Sequence, residues 1–273
     1  MPLELDTAEG KIAVLSIALR AAREASQIVF AGWRKHPVVE HKGAIDLVTS
    51  YDRESERFLR RKLLAEAPFA FVGEEEGGKR AAGERAPTWF VDPLDGTTNF
   101  VHGHPFFCVS VGLLVGAEPL LGAVVAPALA TEWSGAVGVG ATRNGQPCQP
   151  SEVGNFNDAL LATGFPYDRR TSDDNNFDAF VTIKKRVQAV RRCGSAALDL
   201  CLVADGTYEG YWERKLQAWD LAAGAAIVKA AGGRISDFEG GDDAVSTGHL
   251  VATNGRIHDA LLAALAAVGP TSR

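Results

Sequence analysis

Two aspartates three residues apart, Asp92 and Asp95, lead into Gly96, Thr97 and Thr98, and this is the stretch of the chain best suited to chemistry. Carboxylates that close repel each other unless a cation sits between them. A glycine turn lets backbone approach a ligand, and successive free N–H groups there suit a phosphate. One Asp alone would read as a turn former, because Asp-Pro and Asp-Gly commonly end strands. Asp92, Asp95 and Thr97 together could serve one metal–phosphate site, which a plain turn would not require. Trp89, Phe90 and Val91 deliver them, three bulky residues in a row as in a strand buried on both faces. Pro93 has no N–H to give, so pairing stops there.

Other candidates lie at element ends. Asp52 follows Thr49 at the spacing of a capping box, so it can cap the helix predicted over Ser50 to Glu66. Glu74, Glu75 and Glu76 leave a strand predicted over Phe69 to Val72. A triple Glu is usually a solvated loop, yet here a buried strand delivers it, as the next strand delivers Asp92. Gly194 and Ser195 can open a helix whose first N–H groups face a polar ligand, or Ser195 can be a plain cap. Asp220 falls in the first turn of an apolar helix, Trp219 to Gly233, where it complements the dipole or serves a metal. Glu213 ends a strand predicted over Thr207 to Trp212. His102 and His104 could hold a metal, but their neighbours are carboxylates suited to a hard cation, so both read as structural or supporting.

Around these lie a first helix with Ile12, Leu15, Leu19, Ala22, Val29 and Trp33 at helical spacing, and Pro37 after its end. Strands are predicted over Ile45 to Thr49, Cys108 to Val115, Leu120 to Val125 and Glu132 to Val139, with Gly77 to Ala86 an exposed loop. Turns separate them, which suggests a largely antiparallel sheet. Past Pro150 to Asn157 the pattern alternates: strands over Leu160 to Thr163, Val187 to Val190, Arg234 to Ser236 and Leu250 to Ala252, helices over Asp173 to Lys185 and Ile257 to Val268. The fold class is mixed α/β, an α+β half over residues 1–152 and an α/β half over 153–273.

The 273 residues suit one large or two moderate domains, and 46% hydrophobic with 23% charged content is ordinary for a globular protein. A net charge of −6 argues against a nucleic-acid partner. The four cysteines form no C-x-x-C pair and read as buried thiols in a reducing compartment. No run is long enough to span a membrane, and the acidic leading segment is no signal peptide, so the expected location is cytoplasmic.

The run D-P-L-D-G-T-T-N-F (Asp92 to Phe100) resembles the signature of the inositol monophosphatase family of Mg²⁺-dependent phosphatases. Three further stretches resemble the family in order: D-L-V-T-x-x-D ending at Asp52, G-E-E from Gly73, and W-D-x-A-A-G from Trp219. Phosphatases of the haloacid-dehalogenase type also carry D-x-D-G-T after a hydrophobic strand, but their second Asp is two residues on, and here it is three. The family resemblance implies a layered αβαβα sandwich of the sugar-phosphatase type, commonly a homodimer. It implies that Glu74, Asp92, Asp95, Asp220 and the Leu94 carbonyl ligate two or three Mg²⁺ ions. It further implies that Thr97, oriented by Asp52, positions an attacking water, with Lys42 assisting electrostatically. Asp95, Gly96, Thr97, Gly194, Ser195, Ala196, Glu213 and Asp220 would contact the substrate. W-E-x-x-x-x-x-W-D, from Trp212 to Asp220, resembles the inositol monophosphatases of bacterial type, which implies inositol monophosphate as substrate. Histidinol phosphate, fructose 1,6-bisphosphate, 3′-phosphoadenosine 5′-phosphate and NADP are alternatives within the same chemistry, and a regulatory protein that keeps the fold is an alternative of another class.

Overall fold

The computed structural model describes residues 4–41, 46–83 and 85–268. Helix α1 (Ala8–Gly32) starts at Thr7, whose hydroxyl accepts from the Gly10 N–H at 3.1 Å. Strands β1 (Val39–His41) and β2 (Leu47–Thr49) form a small antiparallel pair. Helix α2 (Ser50–Glu66) opens on the Thr49–Asp52 capping box. Then come β3 (Ala70–Gly73), β4 (Gly78–Lys79), β5 (Pro87–Asp95) and the one-turn helix α3 (Thr97–Val101). Strands β6 (Cys108–Val115), β7 (Glu118–Ala126), β8 (Thr131–Ala136), β9 (Gly140–Arg143) and β10 (Gln146–Cys148) complete a sheet of order β10-β9-β8-β7-β6-β5-β3-β4, antiparallel except at β3–β5.

The rest of the chain gives β11 (Leu160–Thr163), α4 (Phe177–Lys184), β12 (Ala189–Arg191), α5 (Ala196–Ala204), β13 (Gly210–Glu213), α6 (Ala218–Ala231), β14 (Arg234–Ser236), α7 (Ala244–Thr247), β15 (Leu250–Thr253) and α8 (His258–Ala266). Its sheet runs β12-β11-β13-β15-β14, parallel across β12, β11 and β13 and antiparallel at β15. Five layers result. Helices α1 and α2 cover one face of the large sheet, α5 and α6 fill the space between the sheets, and α4 and α8 cover the outer face of the small one.

The middle layer explains the alanine richness of α6. Its central residues, Leu221 to Val228, are all buried. Gly112 and Gly122 of the large sheet face it, and a Cβ at Gly122 would stand 2.3 Å from the Ala223 carbonyl oxygen. Helix and sheet therefore meet backbone against backbone, which only small residues allow.

Several boundaries differ from the sequence reading for local reasons. In α1 the buried stripe is Val14, Ile17, Ala18, Ala21, Ala22, Ala25 and Val29, while Ile12 is 48% exposed. Small residues again sit where the helix touches the sheet. Helix α4 starts at Phe177, not Asp173, because Ser172, Asp174 and Asn175 bond locally and Asn176 is left-handed. The stretch Gly77 to Ala86 holds the short strand β4, paired with β3. Strand β8 ends at Ala136, three residues before Val139, and β12 lies one residue later at its end than Val190. Cys108 and Cys201 are buried thiols, but Cys148 and Cys193 are only half-buried. No helix among the described residues is long and apolar enough to cross a membrane.

Candidate active site

The carboxyl end of β5 forms the floor of the site. From Trp89 to Asp95 every residue of the strand is buried, so Asp92 and Asp95 are carried into the interior with it. Asp92 Oδ1 accepts the Leu94 N–H at 2.9 Å, and the strand breaks register between Asp92 and Asp95. Pro93 lies in that break, but pairing does not stop there as its missing N–H suggested: it resumes at Asp95 opposite Cys108, because the irregularity lets the chain step past the proline. Gly96 then takes φ +93°, a conformation a side chain resists, and a Cβ there would stand 2.9 Å from the Phe106 oxygen. The turn feeds directly into α3.

Asp95 ties the two halves of the chain together. Its Oδ2 accepts from the Ser195 hydroxyl at 2.6 Å and from the Ala197 N–H at 2.8 Å. Ser195 is also the N-cap of α5, so capping and carboxylate binding share one hydroxyl. Asn99 adds a second tie, donating to the Phe106 and Cys193 carbonyls at 2.7 and 2.8 Å.

Asp52 makes both contacts that its position suggested. Its Oδ2 accepts from Thr49 N–H and hydroxyl at 2.9 and 2.6 Å, completing the cap. Its Oδ1 is 3.0 Å from Thr97 Oγ1, which also lies 2.9 Å from the Leu94 carbonyl oxygen. Asp220 likewise caps, accepting the Gln217 N–H at 2.7 Å, while lining the cavity. Glu74 hydrogen-bonds Asp92. Lys42 lies outside the described residues. His102 and His104 are exposed, and His104 Nδ1 accepts the Phe106 N–H at 3.3 Å, a local turn contact.

A cavity of about 580 Å³ opens above this floor, and all eight residues expected to contact substrate line it, from Asp95 to Asp220. Asp92 and Leu94 are buried beneath its surface. Burial, then repulsion from Glu74, Asp95 and Asp220, pushes the Asp92 carboxyl well above the usual range. Burial and then Glu74 and Asp95 do the same to Asp220. For Asp95, burial outweighs the hydrogen bonds from Ser195 and Ala197. Burial is also the main cause for Glu213, pushed up to about 7, with Tyr211 donating to its Oε2.

Among the described residues no three acidic, histidine or cysteine side chains are grouped closely enough to hold a metal ion as they stand. The donor chemistry nonetheless fits a hard divalent cation. Asp92, Asp95 and Asp220 offer carboxyl oxygens, and carboxyls that raise one another's proton affinity are those a cation would relieve.

The sequence matches the family model described as "Inositol monophosphatase family" over residues 12–269. The chain belongs to the inositol monophosphatase family. This is a family of metal-dependent phosphatases. Inositol-1-monophosphatase from Synechocystis is 42% identical over 254 residues, 93% of this chain and 88% of that protein. A protein named Nus factor SuhB from Pseudomonas aeruginosa is 40% identical over 91% of this chain and 94% of its own length. Among solved structures, the inositol monophosphatase from Anabaena superposes with a TM-score of 0.85 at 39% identity, covering 94% of this chain and 97% of that one.

Some residues of this inositol monophosphatase family site escape a reading by motif. Glu56 is fully buried and accepts the Glu75 and Glu76 N–H groups at 2.7 and 2.8 Å, so it holds the loop that carries Glu74. The signal was available: positions 52, 55, 56, 59 and 63 repeat at helical spacing, and the first three are polar. Ser55 donates to the Pro93 carbonyl at 3.0 Å, bracing the break in β5. Tyr167, 64% exposed, also lines the cavity.

Proposed function

We propose that this protein is a Mg²⁺-dependent phosphomonoesterase that hydrolyses an inositol monophosphate to inositol and phosphate. What supports the reading is the hydroxyl of Thr97, 3.0 Å from Asp52, on the wall of a cavity whose floor gathers mutually repelling carboxyls. Two or three Mg²⁺ ions would be held by Glu74, Asp92, Asp95, Asp220 and the Leu94 carbonyl. When bound, they supply Lewis-acid stabilisation of the phosphate charge and lower the pKa of an attacking water.

The chain's own part is positioning. The Gly96 and Thr97 N–H groups open α3 toward the cavity and would bind phosphate oxygens. Asp52 and the Leu94 carbonyl orient the Thr97 hydroxyl, so that its oxygen can hold a water in line with the phosphorus. Glu213 and the turn Gly194–Ala196 face the alcohol part of the ester. Lys42 would add positive charge. The enzyme acts in the cytoplasm as a homodimer in this reading, and lithium inhibits it at roughly millimolar concentration, as expected of weak cation sites; a flat response to lithium would set this chain apart from its subfamily.

Asp92→Asn tests the metal role. It should lose Mg²⁺-dependent phosphate release by at least about a hundredfold while melting like the unaltered protein. Near-normal Mg²⁺-dependent turnover in that variant would refute the assignment. A second reading, a regulatory protein that keeps the fold, draws on the relative named as a Nus factor. It predicts no phosphate release even with the carboxylates intact.

A further inference from the structure

Asp199 is a buried carboxyl on the cavity wall that nothing above uses. It lies in the first turn of α5, 2% exposed, and lines the same cavity as Thr97 and Glu213. Its Oδ1 has no hydrogen-bond partner among the described residues. Three other buried side-chain atoms share that condition, on Trp33, Arg60 and Ser110, and none of those residues lines the cavity. Buried acceptors without partners are rare in native proteins, and each asks for an explanation.

The neighbours narrow the explanation. Asp95, from the phosphate end of the cavity, already has Ser195 and Ala197 on its Oδ2. Glu213 already receives the Tyr211 hydroxyl. Burial, and then the charges of Glu213 and Asp95, push the Asp199 carboxyl well above the usual range, while Arg192 pulls the other way. A carboxyl that keeps its proton offers a donor as well as an acceptor. A second cation there is disfavoured, because Arg192 already supplies positive charge. The complementary group is a neutral hydroxyl that can give one hydrogen bond and take another.

We propose that Asp199 is a specificity-determining residue that receives a hydroxyl of the alcohol part of the substrate, beside Glu213. The proposal rests on the phosphatase reading and sharpens it: the site takes polyol phosphates, whose ring hydroxyls can satisfy Asp199, over aryl or simple alkyl phosphates. A site built to bond a hydroxyl rejects an analogue that lacks it, because its buried polar atom is then left unpaired.

The test compares the unaltered protein, Asp199→Asn and Asp199→Leu on inositol 1-phosphate and 4-nitrophenyl phosphate with Mg²⁺. The Leu variant should raise KM for the inositol ester by at least about tenfold, the size of one lost hydrogen bond to a buried partner. Its kcat should change by less than about threefold, the mark of a binding contact. The ratio of kcat/KM for the inositol ester to that for the phenyl ester should fall by a similar factor. Asn keeps an acceptor oxygen and should recover part of the loss. Equal losses on both esters, or an unchanged KM, would overturn the proposal. If the Leu variant fails to fold, ring-deoxy inositol phosphates serve instead. One hydroxyl should cost the unaltered protein about tenfold when removed, and cost Asp199→Asn several-fold less; equal costs in the two proteins would sink the idea. An unaltered protein that releases phosphate from neither ester would remove the phosphatase reading, and this assignment with it.

Discussion

Asp52 does two jobs with two oxygens. Oδ2 caps α2 through Thr49, and Oδ1 meets Thr97. The spacing from Thr49 gave the cap and the family resemblance gave the link to Thr97; only the third dimension brings Thr97 to the other oxygen. The roles separate by substitution. Asp52→Asn keeps an acceptor for the Thr49 N–H, so the cap should survive and unfolding free energy in urea should change by less than about 1 kcal/mol. Turnover should still fall at least tenfold, because the altered charge no longer orients Thr97. Equal turnover in the two proteins would leave Asp52 as a cap alone. Thr97→Val should lose turnover by at least about a hundredfold with a smaller change in KM, whereas Thr97→Ser, which keeps the hydroxyl, should retain much of it; steady-state kinetics on both variants checks this. Asp199 and Glu56 were not legible in the same way. Neither belongs to a recognisable motif, Asp199 in an apolar first turn and Glu56 in a charged run, and the meaning of each comes from a cavity wall or a loop brought over it by the fold.

Helix α2 is more than a cover for the sheet. Its polar stripe, Asp52, Ser55 and Glu56, reaches Thr97, the Pro93 carbonyl and the Glu75–Glu76 backbone. One helix thus braces the exits of β3 and β5 together. Glu56→Gln replaces one of two acceptor oxygens with a donor that faces an N–H. That mismatch should cost about 1–3 kcal/mol of stability, read by urea denaturation, and should weaken Mg²⁺ activation by loosening the Glu74 loop; unchanged stability and Mg²⁺ dependence would show that the loop holds itself. The elements themselves were largely readable, because β5, β6 and α6 carry their periodicity in long apolar runs. What misled was size. In α1 the large residues Ile12, Leu15 and Leu19 drew the stripe, but close contact with the sheet selects the alanines beside them. Strand β1 and the one-turn helix α3 are too short to leave a periodic signal.

At the scale of the whole molecule, the buried titratable groups are mostly carboxyls, and His258 is the buried imidazole among the described residues. It is fully buried, with Ser236 and Thr253 hydroxyls each 2.9 Å from a ring nitrogen. Burial lowers its pKa from the ordinary 6.5 to about 4. Between those values the unfolded chain binds the proton and the native protein does not. Stability from this residue is therefore complete above pH 6.5 and is lost as pH falls toward 4, at up to about 1.4 kcal/mol per pH unit. Urea denaturation between pH 7 and 4.5 should show a steeper decline in the unaltered protein than in His258→Gln; parallel curves would show that other groups carry the acid sensitivity. The chemistry is a property of the same scale, because Asp95 from one half and Ser195, Glu213 and Asp220 from the other meet at one cavity. Its most direct test is phosphate release from inositol 1-phosphate, histidinol phosphate, fructose 1,6-bisphosphate, 3′-phosphoadenosine 5′-phosphate and NADP, each with Mg²⁺ and with a chelator. The account predicts Mg²⁺-dependent release with a clear preference for inositol 1-phosphate. Release from none of them, or release that survives the chelator, would contradict it.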